Sequence, residues 1–228
     1  MARTFTEMCS RVVQYELDTD SAMLTLVGYW LNDKYAEISN RTVWSALVKF
    51  DYTFPTVANQ QGYTLPTDFN TEIFCADITN GARLNKYTEG PWFEERYGAY
   101  SVGTISSGTP SRYIISRNQG KILLDPAPDR ILTIAFPYCQ SVADLTGSGA
   151  PVIADIDDIL ELGAMAEMYA YKKQFQKADY YLKRYEYRLA QRIGQEKSVS
   201  NFAQQFIPAG YKIDGTSRLT GDSPYATP

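Results

Sequence analysis

Apolar residues recur at helical spacing toward both ends of this chain and at strand spacing between them, so period alone separates four zones. In residues 3–50, Thr4 followed by Glu7 has capping-box spacing, and Phe5, Cys9, Val12, Val13 and Leu17 then share a face. Asp18, Thr19 and Asp20 give a second start signal. Met23, Leu26, Val27, Trp30, Leu31, Tyr35 and Ile38 follow as a stripe at steps of three and four. Asn40 ends or bends this helix, and Val43, Trp44, Leu47 and Val48 predict a shorter one after it.

Residues 51–153 change period. Tyr52–Pro55, Gly62–Pro66, Ile73–Ile78 and Arg112–Ile115 are aromatic or β-branched runs, broken at short intervals by Gly, Pro, Asn and Asp. Gly120–Pro126 and Ile131–Phe136 are the clearest pair of strands, with Ala127-Pro128-Asp129-Arg130 turning the chain between them. About six to nine strands at this spacing predict a sandwich or small barrel.

Residues 154–197 return to helix, with Gln174–Gln176 as a candidate break. Ala178, Tyr181, Leu182, Tyr185, Leu189 and Ile193 make a fresh stripe beyond it. Residues 198–228 lose periodicity under Pro208, Gly210, Gly215, Gly221, Pro224 and Pro228, yet keep spaced apolar anchors. The expected architecture is therefore α+β. A bundle built from 1–50 and 154–197 carries an inserted β-rich domain, 51–153, and an extended C-terminal arm, 198–228.

Composition removes chemistry rather than adding it. The 228 residues include no histidine, which excludes a Ser-His-Asp triad, a Cys-His pair and His-ligated zinc. Cys9, Cys75 and Cys139 form no C-x-x-C pair and are expected as reduced, buried thiols. The net charge of −4 is too mild to steer the protein onto nucleic acid or an anionic membrane. No run nears the roughly 18 apolar residues of a membrane span. The opening Met-Ala-Arg-Thr-Phe-Thr-Glu lacks the apolar core of a signal peptide.

Each remaining cluster has a bland reading beside a chemical one. Asp155-x-Asp157-Asp158 resembles the start of a calcium loop but lacks its glycine and closing glutamate, so N-capping and dipole complementarity explain it better. Asp125 and Asp129, or Glu94, would serve a β-sandwich carbohydrate hydrolase if two carboxylates converged. A strand-to-strand turn needs the same letters at 125–129. Gly103–Thr109 lacks the lysine of a phosphate loop. Lys172 to Arg192 interleaves seven basic residues with tyrosines, as a nucleic-acid-binding module does, though a solvated helix face or a protein interface has the same pattern. No catalytic, cofactor or metal residue is assigned.

The order of motifs adds a resemblance. Leu31-Asn32-Asp33-x-Tyr35-x-x-Ile38, Arg41-x-x-Trp44-x-x-Leu47 and Gly62-Tyr63-x-Leu65-Pro66-x-Asp68-Phe69 come first. Gly108-x-Pro110-x-x-Tyr113-x-Ile115, Ile122-x-Leu124-x-Pro126-x-Pro128-Asp129 and Tyr138 follow, and Pro151 to Ala164 opens the closing helices. Over roughly residues 10–195 this series resembles the head-to-tail adaptor proteins of tailed bacteriophages, the connector ring below the portal in short-tailed phages. The resemblance implies a structural virion protein at the head–tail junction, made in the bacterial host cytoplasm, with neither enzymatic activity nor cofactor.

Members of that family pair a helical bundle with a β-rich domain and form a ring, typically of twelve copies. They bind the portal protein and the tail nozzle or next tail ring, and help retain packaged DNA. Double-stranded DNA passes through their channel without sequence-specific binding. The implied portal contacts are Phe202, Phe206, Ile207, Tyr211, Ile213 and Tyr225 of the arm. The expected contacts between copies set Asp155, Asp157 and Asp158 against Lys172, Lys173, Lys183, Arg184 and Arg188.

Overall fold

The computed structural model describes residues 2–15, 20–92 and 106–199. Helix α1, Phe5–Gln14, starts at the expected capping box: the Thr4 hydroxyl accepts from Glu7 N, and Glu7 accepts from Thr4 N at 2.8 Å. Met8, Cys9, Val12 and Val13 are its buried face; Leu17 lies outside the described residues. Asp20 caps helix α2, Ser21–Arg41, which buries Met23, Val27, Leu31, Tyr35 and Ile38 at the predicted spacing.

The short helix expected over 43–48 does not form. Ser45–Leu47 make a single 3-10 turn, and Val48–Lys49 are already strand β1. The indole N–H of Trp44 donates to Ile38 O at 2.9 Å, folding the chain back over the end of α2 before another helix can start. Trp44 and Leu47 are core residues, so their spacing reports burial rather than helix.

The closing zone contains two helices, α3, Asp157–Tyr171, and α4, Phe175–Val199, separated at Lys172–Gln174. Lys173 has φ 59°, and Gln174 N reaches back to Tyr169 O. Helices α1 to α4 bury one continuous apolar core. They pack closely at Gly163, where a Cβ would stand 2.9 Å from Lys34 Cγ and 3.2 Å from Tyr185 Cδ2. Lys34 has little room to yield, because Glu37 and Glu167 hold its ammonium at 3.2 and 2.9 Å.

The β region is more fragmented than predicted. After β1 come β2 Thr53–Pro55, β3 Gly62–Thr64, β4 Phe69–Glu72, β5 Ala76–Asp77, β6 Ala82–Arg83 and β7 Asn85–Lys86. Then follow β8 Ser107–Gly108, β9 Arg112–Ser116, β10 Lys121–Asp125, β11 Ala127–Pro128, β12 Thr133–Ala135 and β13 Tyr138–Gln140. Among the described residues they form four small sheets, ordered β1-β13-β4, β3-β10-β9-β7, β11-β8 and β2-β12-β5-β6. Pro55, Pro66, Pro110, Pro126 and Pro137 interrupt or end several of these strands, since each removes a ladder donor.

The strands predicted as the clearest pair stand in different sheets. β10 pairs with β3 and β9, whereas β12 pairs with β2 and β5. The segment between them is not a bare turn, because Ala127–Pro128 pairs in parallel with β8. Within Ile73–Ile78 only Ala76–Asp77 is a strand, and Ile73 N donates to Pro137 O instead.

The motif Tyr63-x-Leu65-Pro66-x-Asp68-Phe69 is structural. The Tyr63 hydroxyl donates to Gln60 O at 2.8 Å and accepts from Val57 N at 3.0 Å, fixing the loop before β3. Asp68 accepts from the Tyr138 hydroxyl at 2.8 Å, and Phe69 stacks on Phe136 at 5.7 Å. Alternation along β13 then joins the cores: Tyr138 belongs to the aromatic β core and Cys139 to the helical core.

A clasp closes this junction. Glu196, buried near the end of α4, accepts from Ser45 N at 2.8 Å and Ser45 Oγ at 2.6 Å. Arg192 donates to the other Glu196 oxygen at 3.1 Å and lies over the Trp44 ring at 5.4 Å. Burial pushes the Glu196 carboxyl up, but the bonds from Ser45 and Arg192 prevail and hold it below its ordinary range.

Two predictions follow from this packing. Gly163→Val should destabilise the fold by about 2 kcal/mol through overpacking; an unchanged urea midpoint would refute the tight crossing. Glu196→Gln should cost about 1–2 kcal/mol at neutral pH. Because the folded-state pKa is lowered, the wild-type advantage exists above the ordinary carboxyl value and fades as pH falls through the folded value. Urea melts of both proteins at pH 7 and near pH 3 check this, and a gap that persists in acid contradicts it.

Candidate assembly interface

The acidic start of α3 is bound within its own chain. Asp157 accepts from Arg3 N at 2.8 Å, and the Arg3 guanidinium meets Asp158 directly and Glu161 at 3.1 Å. Arg11 reaches Glu161 at 3.2 Å. Burial raises the Glu161 carboxyl above its ordinary range, against the pull of Arg3 and Arg11. The expected N-cap is absent: the cap position is Ile156, without a side-chain bond. Asp155 lies ahead of it with φ 58°. What survives is the favourable placement of acid in the first turn. Among the described residues no three His, Cys, Asp or Glu side chains gather as metal ligands.

The basic residues lie along the α3–α4 hairpin. Lys172 and Lys173 mark its turn, Lys183 pairs with Asp179 at 2.6 Å, and Arg184 lies over the Tyr180 ring at 5.5 Å. Arg188 is exposed. Because α3 and α4 run antiparallel, Asp158 and Glu161 line the same groove as Arg184 and Arg188, with Leu162 and Tyr181 between them. Of the acid and base expected to meet across neighbours, Asp158, Arg184 and Arg188 thus share one groove within a chain.

The tyrosines divide into packed and outward-facing sets. Tyr169 stacks on Tyr181 at 5.1 Å with Lys177 over its ring, and Tyr185 is fully buried. Tyr171, Tyr180 and Tyr187 are exposed with Phe175 and Leu182. Helix α4 therefore buries a stripe through Tyr185, Leu189 and Glu196, flanked by the partly buried Ala178, Tyr181 and Ile193, and presents its remaining faces outward.

The carboxylates considered for hydrolysis have structural surroundings. Asp125 accepts from Arg112 at 2.7 Å across the β9–β10 register pair, and Asp129 is exposed, its N–H donating to Gly108 O. Glu94 and all six arm residues, Phe202, Phe206, Ile207, Tyr211, Ile213 and Tyr225, lie outside the described residues. Sequence reasoning missed the Arg3 clamp and the Glu196 clasp, whose partners are distant in sequence. It also missed the outward position of Ile78 and Ile131, which had been read simply as strand hydrophobes.

No described helix is long and apolar enough to cross a membrane. No curated protein matches the chain. One family does, that of the SU10 adaptor protein, a phage adaptor whose name implies a structural place in a virion and association with other head or tail proteins. Its match extends past the resemblance read above and takes in Phe202, Phe206 and Ile207, but not Tyr211, Ile213 or Tyr225. Since the match spans residues 3–207, covering the helical bundle, the β region and the start of the tail, the chain belongs to the SU10 adaptor protein family.

Proposed function

We propose that this protein forms a ring beneath the portal of a short-tailed phage, joins head to tail, continues the DNA channel and helps retain packaged DNA. The observation that carries this reading is the family match over residues 3–207. The geometry supports it. A closed ring needs two different complementary faces on each copy, and α4 offers one, an exposed aromatic and charged surface on a helix anchored along its buried stripe. The mild net charge of −4 suits a channel wall, because tight phosphate binding would impede passing DNA.

In this reading the tail after Val199 is the portal-binding arm, through Phe202, Phe206, Ile207, Tyr211, Ile213 and Tyr225. The Glu196 clasp holds the helix from which it continues. The charged set expected between copies falls at the rim of the subunit contact. Lys173, Lys183, Arg184 and Arg188 are exposed there, whereas Asp157 and Asp158 are engaged by Arg3. The opposite end of the ring receives the tail nozzle or the next tail ring.

Mass determination in solution tests the reading, with the protein alone and then mixed with the portal protein of the same phage. A ring-sized complex is expected with the portal, and a monomer indifferent to it would defeat the proposal. Deleting residues 200–228 should preserve helical signal and a cooperative melt while weakening portal docking. Loss of the melt would assign the tail to the protein's own core, and unaltered docking would remove its portal role.

A further inference from the structure

The outward face of one small sheet departs from the usual alternation of apolar in, polar out. In the β2-β12-β5-β6 sheet, Ile134 pairs with Phe54 and Asp77 on the inner side. Thr133 pairs with Pro55, and Ile78 N donates to Thr133 O, which puts Pro55 and Ile78 on the outer side. Continuing that parity past Thr56 and Leu132 adds Val57 and Ile131. Ile131 is 74% exposed, and Val57 and Ile78 are each 54% exposed. Ala76 and Ala135, partly exposed, extend the same face.

This patch is held in shape before anything touches it. Thr56 Oγ1 donates to Arg130 O at 3.0 Å and accepts from Leu132 N at 2.7 Å, and the Tyr63 hydroxyl pins Val57. Thr133 N donates to Thr79 Oγ1, and Asp77 accepts from Thr79 N and Asn80 N, bracing the turn after Ile78. Rigid presentation lowers the entropic cost of binding. Arg83 on the edge strand and Arg130 beside Ile131 bring positive charge to its margin, with Asp129 next to Arg130 in sequence.

Helix α4 carries the complement. Phe175, Asp179, Leu182 and Glu186, at i, i+4, i+7 and i+11, form one flank that is both apolar and acidic. Phe175 is 69% and Leu182 42% exposed. Asp179 and Glu186 hold only exposed partners, Lys183 and Arg41, and such pairs contribute little and exchange readily. We infer that the outer face of the β2-β12-β5-β6 sheet seats the Phe175–Glu186 flank of α4 from a neighbouring copy. The two surfaces match in apolar character and oppose in charge, and each copy has both, as a head-to-tail ring contact requires. This inference rests on the ring reading above.

Cross-linking the full-length chain tests it. The native thiols are silent, since Cys9, Cys75 and Cys139 are all buried. Burial pushes Cys9 up to about 11, Cys75 up to about 12 and Cys139 upward, which leaves little reactive thiolate. Ile131→Cys and Phe175→Cys, both at exposed positions, are combined in one chain, assembled with portal rings and treated with a short bis-maleimide. A ladder of covalent multimers is expected from the double variant and lost from either single variant.

Rings without a ladder, or with links only inside one chain, would overturn the α4 seat and leave the ring reading standing. Dimers from the Ile131→Cys single variant would show sheet facing sheet and overturn it likewise. If the wild-type chain forms no ring alone or with the portal, both readings fall together.

Discussion

Strand β13 must satisfy two cores at once, and much of the molecule is arranged around that demand. Its alternation sends Tyr138 into the aromatic β core and Cys139 into the helical core, so one strand contributes to both. That strand is held between β1 and β4, with Val48 opposite Cys139 and Glu72 opposite Tyr138. The chain must therefore leave α2 and enter β1 along a defined path. Trp44, bonded to Ile38 O and covered by Arg192, sets that path, and Glu196 caps the turn that follows it. Helix α4 thereby reaches the junction of the two cores.

Charge in this protein serves mainly to fasten its own elements. Arg3 draws the N-terminal segment onto the first turn of α3, and Phe5 N and Thr6 N bond to Gly149 O and Gly147 O. Arg11 adds a second cation beside the buried Glu161. Lys34 joins α2 to α3 through Glu167, and Arg41 joins α2 to α4 through Glu186. Apart from Glu186, whose partner Arg41 is itself exposed, these ties use acid that might otherwise serve a partner. Apolar surface then becomes the better indicator of assembly, both on the sheet of β2, β12, β5 and β6 and on the outer flanks of α4.

The tyrosine wealth of the closing helices resolves along the same division. Tyr169, Tyr181 and Tyr185 pack within the bundle, where ring stacking and burial occupy them. Tyr171 at the end of α3 is exposed, and Tyr180 and Tyr187 face outward on α4 and give it the aromatic character of a protein contact. Periodicity found Tyr181 and Tyr185, which fall on the apolar stripe, but not the buried Tyr169. The outward set has no matching signal, since exposed positions leave no apolar periodicity.

Whatever depends on neighbours a few residues away can be read from the chain alone. The Thr4–Glu7 capping box, the Asp20 cap, the stripe of α2, the break before α4 and the runs of β2, β3, β9 and β10 were legible because bonds between near positions specify them. Tertiary structure decided the rest. Trp44 and Leu47 had helical spacing but became core beneath α4, and β10 and β12, adjacent in sequence, joined different sheets. Ser45 and Glu196 stand 151 residues apart, and Arg3 and Asp158 stand 155 apart. Such partners leave no periodic trace, because only the folded packing brings their atoms within bonding distance.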